Sequence, residues 1–574
     1  MRKISNFITA LTVAVTLAGS FASASPALAA SALDSTQKFG NWVVTDVAKN
    51  SAVEAFKVDR QLIAWTERSG DSRSLFAFNG VGVQRLATMP VSDWNESDSD
   101  KDFLDPIMGN FDAADGLVVW TQRDGHDREI YSWNGESVSR VSDNGYDDRH
   151  PMTSQGSIAW TSQPGLHYNL VVSKNGAASN IDSYHVMNYA FSGKNIFWMK
   201  FSVGDNTDKV YRYDGSTTVA VGIGDDRAMR NYFVVDGNGS AAWEYSTNRW
   251  NEGRRVMYNS YNGEQARSVI VRMAPPYATT LEDVDGSEII MNSYDYYYQK
   301  LESRVSLIRS RGISENVVAS KSALAKARFM DGGLVVRHAE PENGTALLKG
   351  GSQDFVSYDS VLYNMFEADG PTVAGAMSYG GLMIFNDLKL AKVPTTAKVT
   401  DLKVVNGDVA WIETASNGIK TLRFASRGVL VRTSNGPSFM GGHLVKTNAK
   451  STVYFAAEDG KRYVFPSEKQ FNTWYGDFTS VSVIPMQALS AKSLGGSVLF
   501  KPGSRLVKSA TSPRVYMVGE DGMLHWVTSM SFIESIFGAH WNSKLDVMGD
   551  SLFVDYGIGL PVATGGDYRL ALTK

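Results

Sequence analysis

A short unit recurs through the first three quarters of the chain. Its clearest copy is Leu117-Val118-Val119-Trp120-Thr121, followed by Ile130-Tyr131-Ser132-Trp133-Asn134-Gly135. The two β-rich runs flank the polar turn Arg123-Asp124-Gly125-His126-Asp127, and the closing Asn-Gly supplies the positive-φ residues of a tight hairpin. Ser137-Val138-Ser139-Arg140-Val141 then alternates as a third strand. Further copies are Leu62-Ile63-Ala64-Trp65 with Asn79-Gly80, Ile158-Ala159-Trp160 with Asn175-Gly176, Ile196-Phe197-Trp198 with Asp214-Gly215, and Ala241-Ala242-Trp243 with Asn262-Gly263. Val409-Ala410-Trp411 opens one more. From tryptophan to turn glycine the spacing is 15, 15, 16, 17 and 20 residues. A fixed strand joined by turns of variable length points to one sheet repeated radially or linearly.

Weaker copies without tryptophan begin at Ser287-Glu288-Ile289-Ile290-Met291, Gly333-Leu334-Val335-Val336 and Pro371-Thr372-Val373-Ala374, which brings the candidate units to nine. Antiparallel blades commonly number four to eight per ring, so eight blades are expected, with seven and nine as bounds. The lone run Gly40-Asn41-Trp42-Val43-Val44-Thr45 is placed to complete the last blade and close the ring. The order Ile-Tyr-x-x-Asn-Gly, a polar loop with paired aspartates (Asp147-Asp148), Pro151, Gly156 and then Ile158-Ala159-Trp160 resembles TolB-like and related secreted β-propeller repeats over about residues 40–435. The resemblance implies a propeller over 39–433. It implies little about function, because propellers host unrelated activities.

Residues 1–30 read as a signal peptide. Arg2 and Lys3 open it, Ile8 to Ala18 form an apolar run too short to span a bilayer comfortably, and Pro26-Ala27-Leu28-Ala29-Ala30 offers a small-residue cleavage site. The expected address is therefore secreted or cell-surface, with no transmembrane segment once the signal is removed. The chain has no cysteine, which excludes disulfides, thiol catalysis and a lipidated cysteine anchor. At 574 residues with 43% apolar content it can rest on its cores alone. The formal charge of −4 becomes −6 without Arg2 and Lys3, and no basic block stands out, so nucleic acid is not an expected partner.

Beyond Ser434-Asn435-Gly436-Pro437-Ser438-Phe439-Met440-Gly441-Gly442, read as a linker over 434–442, the pattern changes. His443-Leu444-Val445-Lys446, Val453-Tyr454 and Glu458-Asp459-Gly460 return 62 residues later as Arg505-Leu506-Val507-Lys508, Val515-Tyr516 and Glu520-Asp521-Gly522. The reading is a duplicated small α+β module, with repeats at 443–495 and 496–562 and a tail at 563–574. Each repeat holds a hairpin turned at Asp-Gly and then a short helix, which Ser467 is placed to cap in the first. Asp459 to Pro466 and Trp474-Tyr475-Gly476-Asp477-Phe478 resemble a C-terminal accessory repeat of bacterial cell-surface proteins. The second copy departs from it at Met523-Leu524-His525-Trp526.

The eight histidines form no metal-ligand pair, and no nucleophile elbow, phosphate loop or dinucleotide fingerprint is present. A glycosidase needs two carboxylates, for which Asp147 with Asp148 and Asp225 with Asp226 are the sequence candidates. Asp98, Asp100, Asp102 and Asp105 share one loop and are the candidate Ca²⁺ ligands, although Phe103 and Gly109 occupy the glycine and glutamate places of a calcium hand. No other cofactor is implied. The strand tryptophans are expected to pack between blades. Trp94, Trp133 and Trp250, outside the repeated position, and His150 are the candidate ligand surface. The expected function is non-enzymatic binding of a protein or polysaccharide at the cell envelope. The alternatives are a carbohydrate-active hydrolase or lyase in the funnel, or a structural surface-layer or appendage component.

Overall fold

A computed structural model describes residues 36–563 apart from stretches between strands, the longest being 95–109, 224–233, 247–253, 260–266 and 296–302. The chain is a β-propeller followed by two small mixed sheets. Residues 53–90, 111–140, 147–182, 186–223, 234–271, 277–320, 326–357 and 361–393 each give one four-stranded antiparallel sheet. The last sheet has five strands: three from 398–427, then Trp42–Ser51 from the start of the chain, with Trp42 opposite Arg427, and Thr36–Phe39 paired outside it at the edge. The strand expected to close the ring does so. The first strand of each sheet touches the first strand of the next, and the last touches the first, so these strands line the axis. Nine such sheets occur among the described residues, against the eight expected. That expectation rested on common ring sizes, whereas each of the nine candidate units forms a sheet.

The second strand of each sheet lies in its middle, with both faces packed against neighbouring sheets. It therefore reads as a continuous apolar run rather than an alternating one. Trp65, Trp120, Trp160, Trp198, Trp243 and Trp411 are all buried at this position. Register places Trp65 opposite Phe76, Trp120 opposite Tyr131 and Trp198 opposite Tyr211, and the rings stack with centroids 5.5, 5.9 and 5.6 Å apart. A buried indole N–H needs an acceptor. Three of them find it two residues on: Trp65 at Glu67 (2.8 Å), Trp120 at Gln122 (3.1 Å) and Trp411 at Glu413 (2.9 Å).

The turns between first and second strands link one sheet to the next. The Asp59 carboxylate accepts from the Asp115 amide at 2.6 Å, and Asp115 in turn accepts from the Gln155 amide. Asp236 accepts from the Gly286 amide at 3.0 Å, and between adjacent first strands Asp283 accepts from that of Phe329 at 2.9 Å. Carboxylates thus satisfy backbone donors that no ladder reaches.

The stretch 434–442 is not a linker. Gly436–Met440 pairs with Val429–Thr433 as a hairpin, whose Val429 and Val431 enter the core of the next sheet while Leu430 enters the core of the one after. Its glycines serve close approach: any side chain at Gly441 would collide with Val43, and one at Gly428 with Phe439. The two C-terminal sheets share one connection pattern. In the first, Gly442–Thr447, Lys450–Ala457 and Arg462–Val464 run antiparallel; helix α1 (Glu468–Trp474) leads to Ser482–Val483, parallel to the first strand, and Leu494–Ser497 returns parallel to the third. In the second, Leu506–Ser509, Tyr516–Val518 and Met523–Trp526 precede helix α2 (Met530–Phe537), with Leu545–Met548 and Gly557–Ile558 as the parallel returns. Ser467 caps α1 by accepting from the Gln470 amide, and Ser529 caps α2 by accepting from that of Phe532.

Candidate functional site

The residues singled out in the sequence do not converge. Asp98, Asp100, Asp102 and Asp105 lie outside the described residues, as do Trp250, Asp225 and Asp226. Trp94 ends a short helix, Val91–Trp94, and its side chain is outside the described set. Trp133 is not a surface residue. It closes the third strand of the second sheet, is 1% exposed and packs with Leu75, Phe111 and Trp120 at the contact with the first sheet. His150 is also buried. It sits with φ +54° in a β-bulge between Arg149 and Met152, its Nδ1 lies 3.0 Å from Thr161 Oγ1, and its carbonyl accepts from the Tyr189 hydroxyl. The bulge turns a residue of the polar loop into the core, so the ligand-surface role expected of His150 is corrected, as it is for Trp133.

Strand alternation separates Asp147 from Asp148. Asp147 meets Arg128 Nη1 at 3.0 Å and Arg149 Nη2 at 2.7 Å; burial works against its ionisation, but the Arg149 and Arg128 contacts outweigh burial and hold the carboxyl below its ordinary range. Asp148 is fully buried, accepts from Asn144 Nδ2 at 2.7 Å, and is pushed above the ordinary range by burial, with Glu129 adding to the effect. Glu129, itself buried, accepts from the Asn144 amide at 2.8 Å and from Arg140 at 3.0 Å. These acids are spent on holding adjacent strands together. Charges on the axial strands likewise pair from sheet to sheet: Lys57 with Asp112 at 3.7 Å, and Arg328 with Glu282 at 2.9 Å and Glu367 at 3.1 Å. Beside them burial pushes Asp283 up to about 6, against the pull of Arg328. No group of three or more acidic or histidine side chains able to hold a metal occurs among the described residues.

A cleft of about 750 Å³ opens where the last two sheets of the ring meet the C-terminal sheets. The ring contributes Trp42, Asn386 and Arg427; the C-terminal sheets contribute Trp474 and Tyr475 from the end of α1, and Lys501 from the segment joining the two sheets. Arg427 Nη1 donates to Asn386 Oδ1 at 3.3 Å, and the Trp474 indole donates to the Leu499 carbonyl at 2.7 Å. Burial pushes the Asp408 carboxyl behind this wall up to about 8, with Arg427 opposing and Asp59 adding. Burial likewise raises the Tyr475 hydroxyl above its ordinary value. Two cations and four aromatic rings, Trp42, Phe439, Trp474 and Tyr475, thus share one wall, and among the described residues no carboxylate lines it. The sequence offered only a weak signal for this site, the Trp-Tyr pair ending α1, because its lining comes from segments hundreds of residues apart.

No family model matches the chain, and no curated protein matches it. Among solved structures it is similar to the tricorn protease, at 11% identity over 77% of this chain and 61% of that one, with a TM-score of 0.25. It is also similar to the β-propeller domain of the Trilobed protease from Pyrococcus furiosus, at 10% identity over 52% of this chain and 98% of that domain, with a TM-score of 0.32. BamB from Moraxella catarrhalis matches at 12% identity over 54% of this chain and 88% of that one, with a TM-score of 0.28. The chain thus spans about three fifths of the tricorn protease and, at 54%, about half of a prolyl endopeptidase. At these values the likeness concerns the propeller fold alone.

Proposed function

We propose that the chain is a secreted or cell-surface binding protein without enzymatic activity, and that the cleft between ring and C-terminal sheets takes an acidic polysaccharide of the cell envelope. The cleft is the observation that carries this reading. Concave sites with apolar walls and a few placed polar groups are the usual form of a ligand site, and they favour boundaries between units. Arg427 supplies a planar fork suited to a carboxylate, Lys501 a second positive charge, and Trp42, Trp474 and Tyr475 the apolar walls. The hydrolase reading has less support, because Asp147 and Asp148 point to opposite faces and are engaged with Arg128, Arg149 and Asn144.

The test is to present the mature protein with acidic and neutral polysaccharides, with and without Ca²⁺, and to assay the same wells for released sugars. Saturable binding of acidic chains without products is expected. Released sugars, or no binding to any polysaccharide, would sink the reading. A Ca²⁺ requirement would bring the Asp98–Asp105 loop into the site.

A further inference from the structure

The two C-terminal sheets hold different side chains at one equivalent place. In the first, the Tyr463 hydroxyl donates to Asp459 Oδ2 at 2.7 Å. Sixty-two residues on, His525 faces Asp521, with Nε2 3.2 Å from Oδ1. The other ring nitrogen, Nδ1, lies 2.8 Å from the carbonyl oxygen of Leu560. A carbonyl and a carboxylate can only accept. A neutral imidazole carries one N–H and can serve one of them, whereas the imidazolium serves both. The ring is 5% exposed, so water is not a ready substitute. A side chain at either Gly519 or Gly559 would collide with it, so the ring is fixed between the turn and the last strand.

The groups around His525 are few. Asp521 is the titratable side chain that faces it among the described residues; Met517 stands opposite on the neighbouring strand, and Gly559 and Leu560 flank it from just beyond the last strand. Asp521 Oδ1 also accepts from the Met523 amide at 2.9 Å. The last strand, Gly557–Ile558, runs on to Val562, and this following segment is otherwise held by a few bonds. The Gly559 amide donates to the Leu524 carbonyl (3.0 Å), the Val562 amide to that of Trp526 (2.9 Å) and the Thr528 amide to that of Val562 (2.9 Å). It buries Val562 against Val527 and Ile533, while Ile558 and Leu560 stand 62% and 74% exposed.

We propose that His525 is a proton-operated clasp: as an imidazolium it ties the last strand of the second sheet, through the Leu560 carbonyl, to the Asp521 turn, and on losing its proton it lets go of one side. Both bonds are present while the ring is protonated, and one is lost once the proton leaves. The first sheet, with a phenol at that place, lacks this response. The clasp therefore sets, by pH, how firmly the segment displaying Ile558 and Leu560 is held.

Backbone amide exchange of Gly559 and Val562 in the full chain, read between pH 5 and pH 8 with intrinsic rates divided out, tests the clasp. Protection is expected to fall by about tenfold or more across that range, the loss of one charge-assisted hydrogen bond. Val498, whose amide bonds the Val464 carbonyl in the first sheet, is the internal control and is expected to hold level. In His525→Tyr the fall at Gly559 and Val562 is expected to disappear. Level protection in the unaltered chain overturns the proposal, and so does an equal fall at Val498 or an undiminished fall in His525→Tyr.

Discussion

The first and second C-terminal sheets have the same strand order, the same capping serine and the same glycine-bearing turns, yet they are filled differently. The first packs rings on rings: Phe471 stacks on Phe478 at 4.3 Å and on Tyr475 at 5.3 Å, and meets Phe465 edge-on at 5.2 Å. The second places Ile533 where the first has Phe471 and His525 where it has Tyr463, and its exposed apolar side chains include Val547, Val554, Ile558 and Leu560. The second also leans on its neighbours, since Leu430 of the preceding hairpin fills its core and the Tyr556 hydroxyl accepts from the Phe500 amide at 2.9 Å. Connectivity here is set by caps, turns and register, which both sheets keep. Core chemistry is free to differ as long as volume is filled.

The two sheets should differ most in their cores. Phe471→Ala is expected to cost about 4 kcal/mol and Ile533→Ala about 3 kcal/mol in denaturant unfolding, because the aromatic site leaves the larger cavity. Equal costs would mean that the first sheet gains nothing from its rings. The next largest effect lies at the joint between ring and first sheet, where His443 stacks on Phe424 and meets Phe78 edge-on. Burial, aided by Lys492, pulls its imidazole down to about 3, so the unfolded chain takes up the proton first. Stability is then full above about pH 6.5 and falls as pH drops toward 3, by about 3 kcal/mol at pH 4. His443→Phe should flatten that part of the pH curve. The equivalent position in the second sheet is Arg505, so no such acid loss is expected there.

Arg505 points instead to Asp546, which accepts from it at 2.6 Å and from Lys469 of the first sheet's helix at 2.8 Å. Burial opposes ionisation of Asp546, but the Arg505 and Lys469 bonds outweigh it and hold the carboxyl below its ordinary range. Its contribution is present above the ordinary carboxylate range and lost as pH falls through the depressed value. Asp546→Ala should cost about 2 kcal/mol in unfolding experiments at neutral pH. Acid would thus weaken the joint between the sheets while tightening the clasp within the second. The smallest effects belong to what the sheets share: Ser467→Ala and Ser529→Ala should each cost about 1 kcal/mol. Clearly unequal values would show that the caps are not equivalent.

The sequence made legible what depends on local pattern. The buried second strands, their tryptophans, the closing strand at Trp42 and the Ser467 cap follow from apolar runs and short-range residue chemistry. Residues whose surroundings are assembled from distant segments were not legible. Trp133 breaks the repeat in sequence but meets the neighbouring sheet in space. His150 was expected at a loop, and a bulge buries it. The Gly-rich stretch 434–442 looked like a linker because glycine marks both flexible segments and close contacts, and here it marks the latter. The turn-to-turn bonds from Asp59, Asp115 and Asp236 did have a signal, an acidic residue ending the first strand of many units, which becomes meaningful once successive turns are known to be neighbours.

The cleft beside Lys501 is proposed to bind an acidic saccharide chain. Calorimetric titration of residues 31–574 and of their Lys501→Gln variant with polygalacturonate, at low and high salt, is the decisive test. Saturable binding that weakens about tenfold in Lys501→Gln and weakens further with salt is the predicted result. Equal affinity in the two proteins, or no binding by either, would contradict it.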